Sequence, residues 1–183
     1  GRPHLPPVMI YTPSRIPGAW VIDFTPITDA RGFFAMTWLP DELRERGMNP
    51  ALAQCNLAFN HKRGTLRGMH FQKAPHAQAK IIRVTRGAVL DVIVDLREDS
   101  PTYRQWDAVE LSAENRRMFY MPEGIAHGYL TLTDNTEAYY HASSPWVPAA
   151  ESGVRWDDPA FAIKWPFRAE VISDKDTSWP LVK

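Results

Sequence analysis

Val89-Leu-Asp-Val-Ile-Val-Asp-Leu96 is the stretch on which the fold turns. Val89, Asp91, Ile93 and Asp95 alternate with Leu90, Val92, Val94 and Leu96. A period of two with Val and Ile enriched marks a strand with two different faces. Arg86-Gly87 just before it is a turn signal. Outward from there, Trp106 to Leu111 reads as a second strand, and Ser112-Ala-Glu-Asn115 as the turn that follows. Met118 to Met121, Tyr129 to Leu132 and Glu137 to His141 continue the pattern. Strands at short spacing with turn residues between them predict an antiparallel sandwich or barrel. The 16 prolines are spread along the chain, which favours short segments over long helices. One short solvated helix is predicted over Pro40-Asp-Glu-Leu-Arg-Glu-Arg-Gly47, with early acids, later bases and a closing glycine.

The 183 residues suit a single domain, with residues 1–38 as an extended N-terminal arm or extra strand and 166–183 as a loop-rich C-terminal segment. Lys+Arg and Asp+Glu both number 21, so no basic surplus points to nucleic acid or a membrane surface. A lone cysteine, Cys55, allows neither an internal disulfide nor a multi-cysteine zinc site. Ile81 to Leu96, the most apolar stretch, is interrupted by Arg83, Arg86, Asp91 and Asp95, so no membrane helix is expected. The first residues carry no signal-peptide core, and a cytoplasmic protein is the expectation.

Polar groups with chemical capacity concentrate in four clusters. The densest is Gly64-Thr-Leu-Arg-Gly-Met-His70-Phe-Gln72, followed by Gln78-Ala-Lys80. In a regular strand Arg67 and Met69 share one face, and Gly68, His70 and Gln72 the other. Glycine beside the histidine leaves room for something to approach the backbone. The second, Met121-Pro-Glu-Gly-Ile-Ala-His127-Gly128, places a tight turn before His127. The others are Tyr139-Tyr-His141 and Ser173-Asp-Lys-Asp176. Several residues carry no assigned chemistry. Asp91 and Asp95 read as a solvated face or as partners of a turn, Tyr139 as core, and Cys55 as a small buried hydrophobe facing away from Gln54 and Asn56. His4, His61, His76 and His141 read as surface residues or as neighbours of the site.

The first two clusters resemble the two motifs of the cupin barrel. A metal-binding cupin places a second histidine where Gln72 stands, and no glutamate follows here. A metal-free pocket is therefore expected. The rival is a metal-dependent cupin oxygenase built on His70, His76 and His127.

A longer series of motifs narrows the match. Arg31-Gly-Phe-Phe34, Gln54-x-Asn56, Leu66-Arg-Gly-Met-His-Phe-Gln72, Gln78-Ala-Lys80, Leu90-Asp-Val-x-Val-Asp-Leu-Arg97, Pro122-Glu-Gly-x-Ala-His-Gly128, Asp157-Asp-Pro159 and Trp165-Pro166 occur in order. The chain resembles the dTDP-4-dehydrorhamnose 3,5-epimerase family of cupins over nearly its whole length. The resemblance implies an all-β cupin-type jelly roll without cofactor or metal. It also implies a dimer with an exchanged N-terminal strand, and inversion at C3 and/or C5 of a dTDP-4-keto-6-deoxyhexose. A cupin ketoisomerase acting on the same substrates is the nearer alternative.

The resemblance also distributes roles. His70 matches the base, and its unperturbed pKa of about 6.5 suits that task near neutral pH. Asp176 matches the carboxylate that orients it. Lys80 matches the cation at the developing enolate, and Tyr140 the acid on the opposite face. Arg67 matches a phosphate ligand and His127 a further substrate contact. Gln54 and Asn56 match pocket polar groups, Trp146 an aromatic wall, and Glu151 a carboxylate near the nucleotide. Arg31 and Phe34 match residues that reach the nucleotide, often from the partner subunit. Met36 stands where the family often carries glutamate, which weakens the expected base contact.

Overall fold

The computed structural model describes residues 9–183; His4 and the start of the expected arm lie outside them. Two six-stranded or near six-stranded antiparallel sheets face each other. Sheet A contains β1 (Met9–Pro13), β2 (Trp20–Phe24), β5 (Gln54–Asn60), β7 (Lys80–Arg86), β10 (Met118–Met121) and β12 (Thr136–Ala142), in the order β1-β2-β10-β7-β12-β5. Sheet B contains β6 (Thr65–Gln72), β8 (Ala88–Asp95), β9 (Trp106–Ser112), β11 (Ile125–Thr131) and β13 (Glu151–Gly153), in the order β13-β6-β11-β8-β9. A short β14 (Val171–Ile172) runs parallel to β6. The hairpin β3 (Ile27–Asp29) and β4 (Gly32–Phe34) joins neither sheet. The helices are α1 (Pro40–Glu45) and α2 (Asp174–Thr177). This is the antiparallel sandwich that the strand spacing predicts, and the jelly roll that the family resemblance implies.

Only one end of the space between the sheets is filled. Ile82, Val84, Phe119 and Ala138 of sheet A meet Val89, Ile93, Leu111 and Ile125 of sheet B. Burying each large apolar side chain contributes about 1.5–3 kcal/mol, so this half holds the sheets together. The outer faces are also covered. Leu43 of α1 and Met48 pack on Ile22, Met118 and Tyr120 of sheet A. Val154 and Phe161 pack on Met69, Val92, Val94 and Ala126 of sheet B. In the C-terminal segment, Asp158 Oδ2 accepts from the Val182 N–H at 2.8 Å.

Three expectations need correction, and one alternative is decided. Of the arm and the extra strand offered for the N-terminal part, residues 9–24 take the strand: β1 pairs with β2 and β2 with β10 in the same chain's sheet, while the 27–34 hairpin stands apart. Asp91 and Asp95 are fully buried, because both faces of β8 are covered. Asp95 does bond a turn, accepting from Arg97, Ser100 and Thr102. Cys55 is exposed, and Tyr139 lies beside it on the outward face, edge-on to His141, outside the core. The outward side chains of β5, Cys55, Leu57 and Phe59, are exposed among the described residues.

Candidate active site

The other end of the inter-sheet space is a cavity of about 540 Å³. Its two main walls come from opposite sheets: Arg67, His70 and His127 from sheet B, and Asn56, Lys80 and Tyr140 from sheet A. Strict alternation would place Arg67 and His70 on different faces of β6. Both line the cavity, while Met69 packs on the outside of sheet B. The reason is a bulge. Along β11, His127 pairs with His70 and Tyr129 with Arg67, so three steps on β6 oppose two on β11. Gly68 and Gly128 make the slip possible. A Cβ on Gly68 would fall 2.6 Å from Gly128 Cα, and one on Gly128 2.6 Å from the Arg67 carbonyl oxygen. What approaches the backbone beside His70 is the neighbouring strand.

His70 and Asp176 form a pair 106 residues apart in the chain. The His70 Nε2–H donates to Asp176 Oδ1 at 2.5 Å, while Asp176 Oδ2 accepts from the Gly68 N–H at 3.1 Å. Asp176 is presented by α2, whose N-cap Ser173 accepts from the Asp176 N–H at 3.2 Å. Burial would raise this carboxyl, but the hydrogen bonds from His70, Gly68 and Trp179 outweigh it and hold Asp176 below the ordinary carboxylate range. An ionised carboxylate there fixes the ring and stabilises a proton on it.

Across the cavity the Lys80 ammonium lies 6.0 Å from the Tyr140 ring centre. Burial lowers the Lys80 pKa to about 8, against the opposing pull of Asp91 and Glu151. Burial raises the Tyr140 phenol, with Arg67 opposing and Glu151 adding. It therefore stays protonated, able to give a proton without carrying charge beforehand. His127 has its own carboxylate: its Nε2–H donates to Asp91 Oδ1 at 2.7 Å. Asp91 Oδ2 is buried without a hydrogen-bond partner among the described residues. Burial raises the Asp91 pKa, against the pull of His127 and Lys80.

Polar groups converge at the rim. Gln54 Nε2 donates to Asn56 Oδ1 at 3.1 Å, and Gln54 Oε1 accepts from the Trp146 N–H at 2.8 Å. Glu151 accepts from Lys175 Nζ at 3.0 Å. Arg67 is held by Asn60 Oδ1 at 2.7 Å and by the Phe59 carbonyl oxygen at 3.1 Å. Such a cavity can bind an anion at the mouth. Deeper in, it offers a histidine base on one side of a bound ring, a phenol on the other, and an ammonium between them.

The family model of dTDP-4-dehydrorhamnose 3,5-epimerase matches residues 13–183. The chain belongs to this family. The epimerase of Methanothermobacter thermautotrophicus is 41% identical over 169 residues, covering 91% of this chain and 90% of that one. The crystal structure of the Bacillus anthracis epimerase, with TDP and pyrophosphate bound, superposes with a TM-score of 0.91. It is 40% identical, over 95% of this chain and 99% of that one. A Legionella pneumophila epimerase in complex with dTDP-4-keto-L-rhamnose gives a TM-score of 0.88 at 34% identity, over 94% and 92% of the two chains.

Of the twelve side chains that the epimerase resemblance singled out, ten line this one cavity; Arg31 and Phe34 do not. Those two sit on the exposed β3–β4 hairpin, where Arg31 pairs with Asp29 of the same turn. His76 lies in an exposed loop outside the cavity, so the three-histidine metal site of the rival reading is not assembled. Among the described residues no group of three His, Cys, Asp or Glu is placed to hold a metal. Sequence reasoning gave Asp91 no chemistry and placed Lys175 in a polar cluster without a role. The signal for Asp91 was available: a carboxylate between apolar residues on the same strand face as Val89 and Ile93 is buried, and a buried carboxylate needs a partner.

Proposed function

We propose that this chain epimerises a dTDP-4-keto-6-deoxyhexose, inverting C3 and/or C5 next to the C4 ketone. The observation that carries the reading is that His70–Asp176 and Tyr140 with Lys80 face one cavity from opposite sheets. His70 removes a proton from the carbon beside the ketone, and Asp176 steadies the imidazolium that forms. Negative charge moves to the ketone oxygen, where Lys80, largely protonated near pH 7, offsets it. Tyr140 returns a proton from the other side of the ring, and the configuration inverts. Arg67 at the mouth suits a diphosphate, because a guanidinium forks onto its oxygens. Trp146 offers a flat face for the base. The ligands held by the Bacillus anthracis and Legionella pneumophila relatives support a thymidine diphosphate sugar as substrate.

The working unit in this reading is a homodimer in which Arg31 and Phe34 reach the partner's cavity. The outward face of sheet A supports it. Leu57 there is 63% exposed and Phe59 is exposed beside it, while Phe34 on the separate hairpin is 65% exposed. On the same face Arg83 Nε and His141 Nδ1 are buried without hydrogen-bond partners among the described residues.

The test is incubation with dTDP-4-keto-6-deoxyglucose in D2O, followed by NMR of C3 and C5. The wild-type chain incorporates deuterium with inversion. His70→Ala abolishes exchange at both carbons, whereas Tyr140→Phe keeps exchange and loses inversion. A moved carbonyl in the product would instead favour the ketoisomerase. Full turnover by His70→Ala would overturn the base assignment.

A further inference from the structure

Trp179 lies three residues beyond Asp176, just past the end of α2. Its indole Nε1–H donates to Asp176 Oδ1 at 3.2 Å, the same oxygen that meets His70 Nε2 at 2.5 Å. Its ring meets the His70 ring edge-on, with centroids 6.2 Å apart and planes at 71°. It also lies directly over Gly153, the β13 residue in register with His70. A Cβ on Gly153 would fall 2.4 Å from Trp179 Cε2 and 2.7 Å from Cδ2. One side chain thus touches both members of the pair, in a place kept open by a missing side chain.

We propose that Trp179 is a positioning residue that shares Asp176 Oδ1 with His70 and so sets how strongly the carboxylate grips the imidazole. This rests on His70 being the base. An oxygen with two lone pairs takes one donor from each ring. Together with the Gly68 N–H on Oδ2, the carboxylate is held by three donors and cannot turn away. The indole also draws off part of the negative charge that would stabilise a proton on His70. Without that N–H the full charge of Oδ1 would fall on the imidazole.

Trp179→Phe keeps a ring over Gly153 and removes only the N–H. The other titratable groups around the cavity, Arg67, Lys80, His127, Tyr129, Tyr140, Glu151 and Lys175, are unchanged by it. Two measurements follow the variant: NMR titration of the His70 imidazole, assigned by its loss in His70→Ala, and the pH dependence of kcat/KM. Both are expected to move to higher pH by about half a unit, so that activity on the acid side falls roughly threefold and the plateau stays within about twofold. An unmoved or downward-shifted His70 titration in a variant of wild-type Tm would overturn the proposal. So would Trp179→Ala being impaired while Trp179→Phe matches wild type at every pH, because the role would then be packing alone. If His70→Ala turned over normally, the base reading would fall, and the imidazole titration would still decide whether Trp179 governs the pair.

Discussion

Lys80 carries opposite pH signs for activity and for stability. Its ammonium is penalised by burial, with a pKa near about 8 in the folded chain against about 10.4 unfolded. The penalty is complete below about pH 8 and fades as pH rises toward the unfolded value, so this group favours the fold more at high pH. Activity runs the other way, since the enolate needs the charge. We expect kcat/KM to fall above about pH 8, and Lys80→Arg to remove that basic limb while lowering the plateau, as a pH–rate profile will show. Asp91→Asn tests the neighbouring charge. The Asp91 carboxylate helps keep Lys80 protonated, so its loss should move the basic limb down by about 0.5–1 unit in the same profile. The motif residues were legible as one site through the family resemblance. The pairing of His127 with Asp91 was not, because the apolar neighbours of Asp91 imply a buried carboxylate but do not say which group meets it.

The element that makes the site is the β6–β11 pair. The sequence pattern caught only the end of β11, as Tyr129 to Leu132, and β6 only as a polar cluster read on a regular strand, in which alternation would have sent Arg67 and His70 to opposite faces. The bulge depends on contacts between two glycines distant in sequence, which no local pattern displays. Gly128→Ala should therefore be costly: its Cβ would fall 2.6 Å from the Arg67 carbonyl oxygen and 2.7 Å from Met69 Sδ. We expect a loss of about 2–4 kcal/mol in urea denaturation, since backbone cannot yield as a flexible side chain can. Activity should fall further than stability alone requires, because Arg67 and His70 would no longer open onto the same space. The helix Pro40–Glu45 was readable from its proline, acids and closing glycine. That Leu43 is buried on sheet A was not, because a single apolar residue in a polar helix has no visible partner in sequence.

At the scale of the whole molecule the two sheets are welded at one end and open at the other, and the outer faces are covered by α1 and the C-terminal segment. The face around Leu57 and Phe59 is left bare. If Arg31 serves the partner's cavity, inactive Arg31→Ala and His70→Ala chains should rescue each other on mixing. Each mixed dimer then holds one intact site, so random exchange restores about a quarter of wild-type activity. No recovery after exchange, verified by mass spectrometry of the mixed species, would show that each chain uses its own Arg31. Leu57→Asp should shift sedimentation toward the single chain, because it places a charge in a face that the dimer would bury.

By itself the sequence determined the strand-rich class and, through ordered motifs, the family and most of the groups that line the site. Side-chain chemistry and strand periodicity are local, so they survive in a one-dimensional record. Only the tertiary structure decided that Trp179 and the Gly68 N–H share the Asp176 carboxylate with His70, that Asp91 is inside and Cys55 outside, and that the Arg31 hairpin stands off from its own cavity. Those outcomes depend on which surfaces cover which, and that is set by packing between segments far apart in the chain.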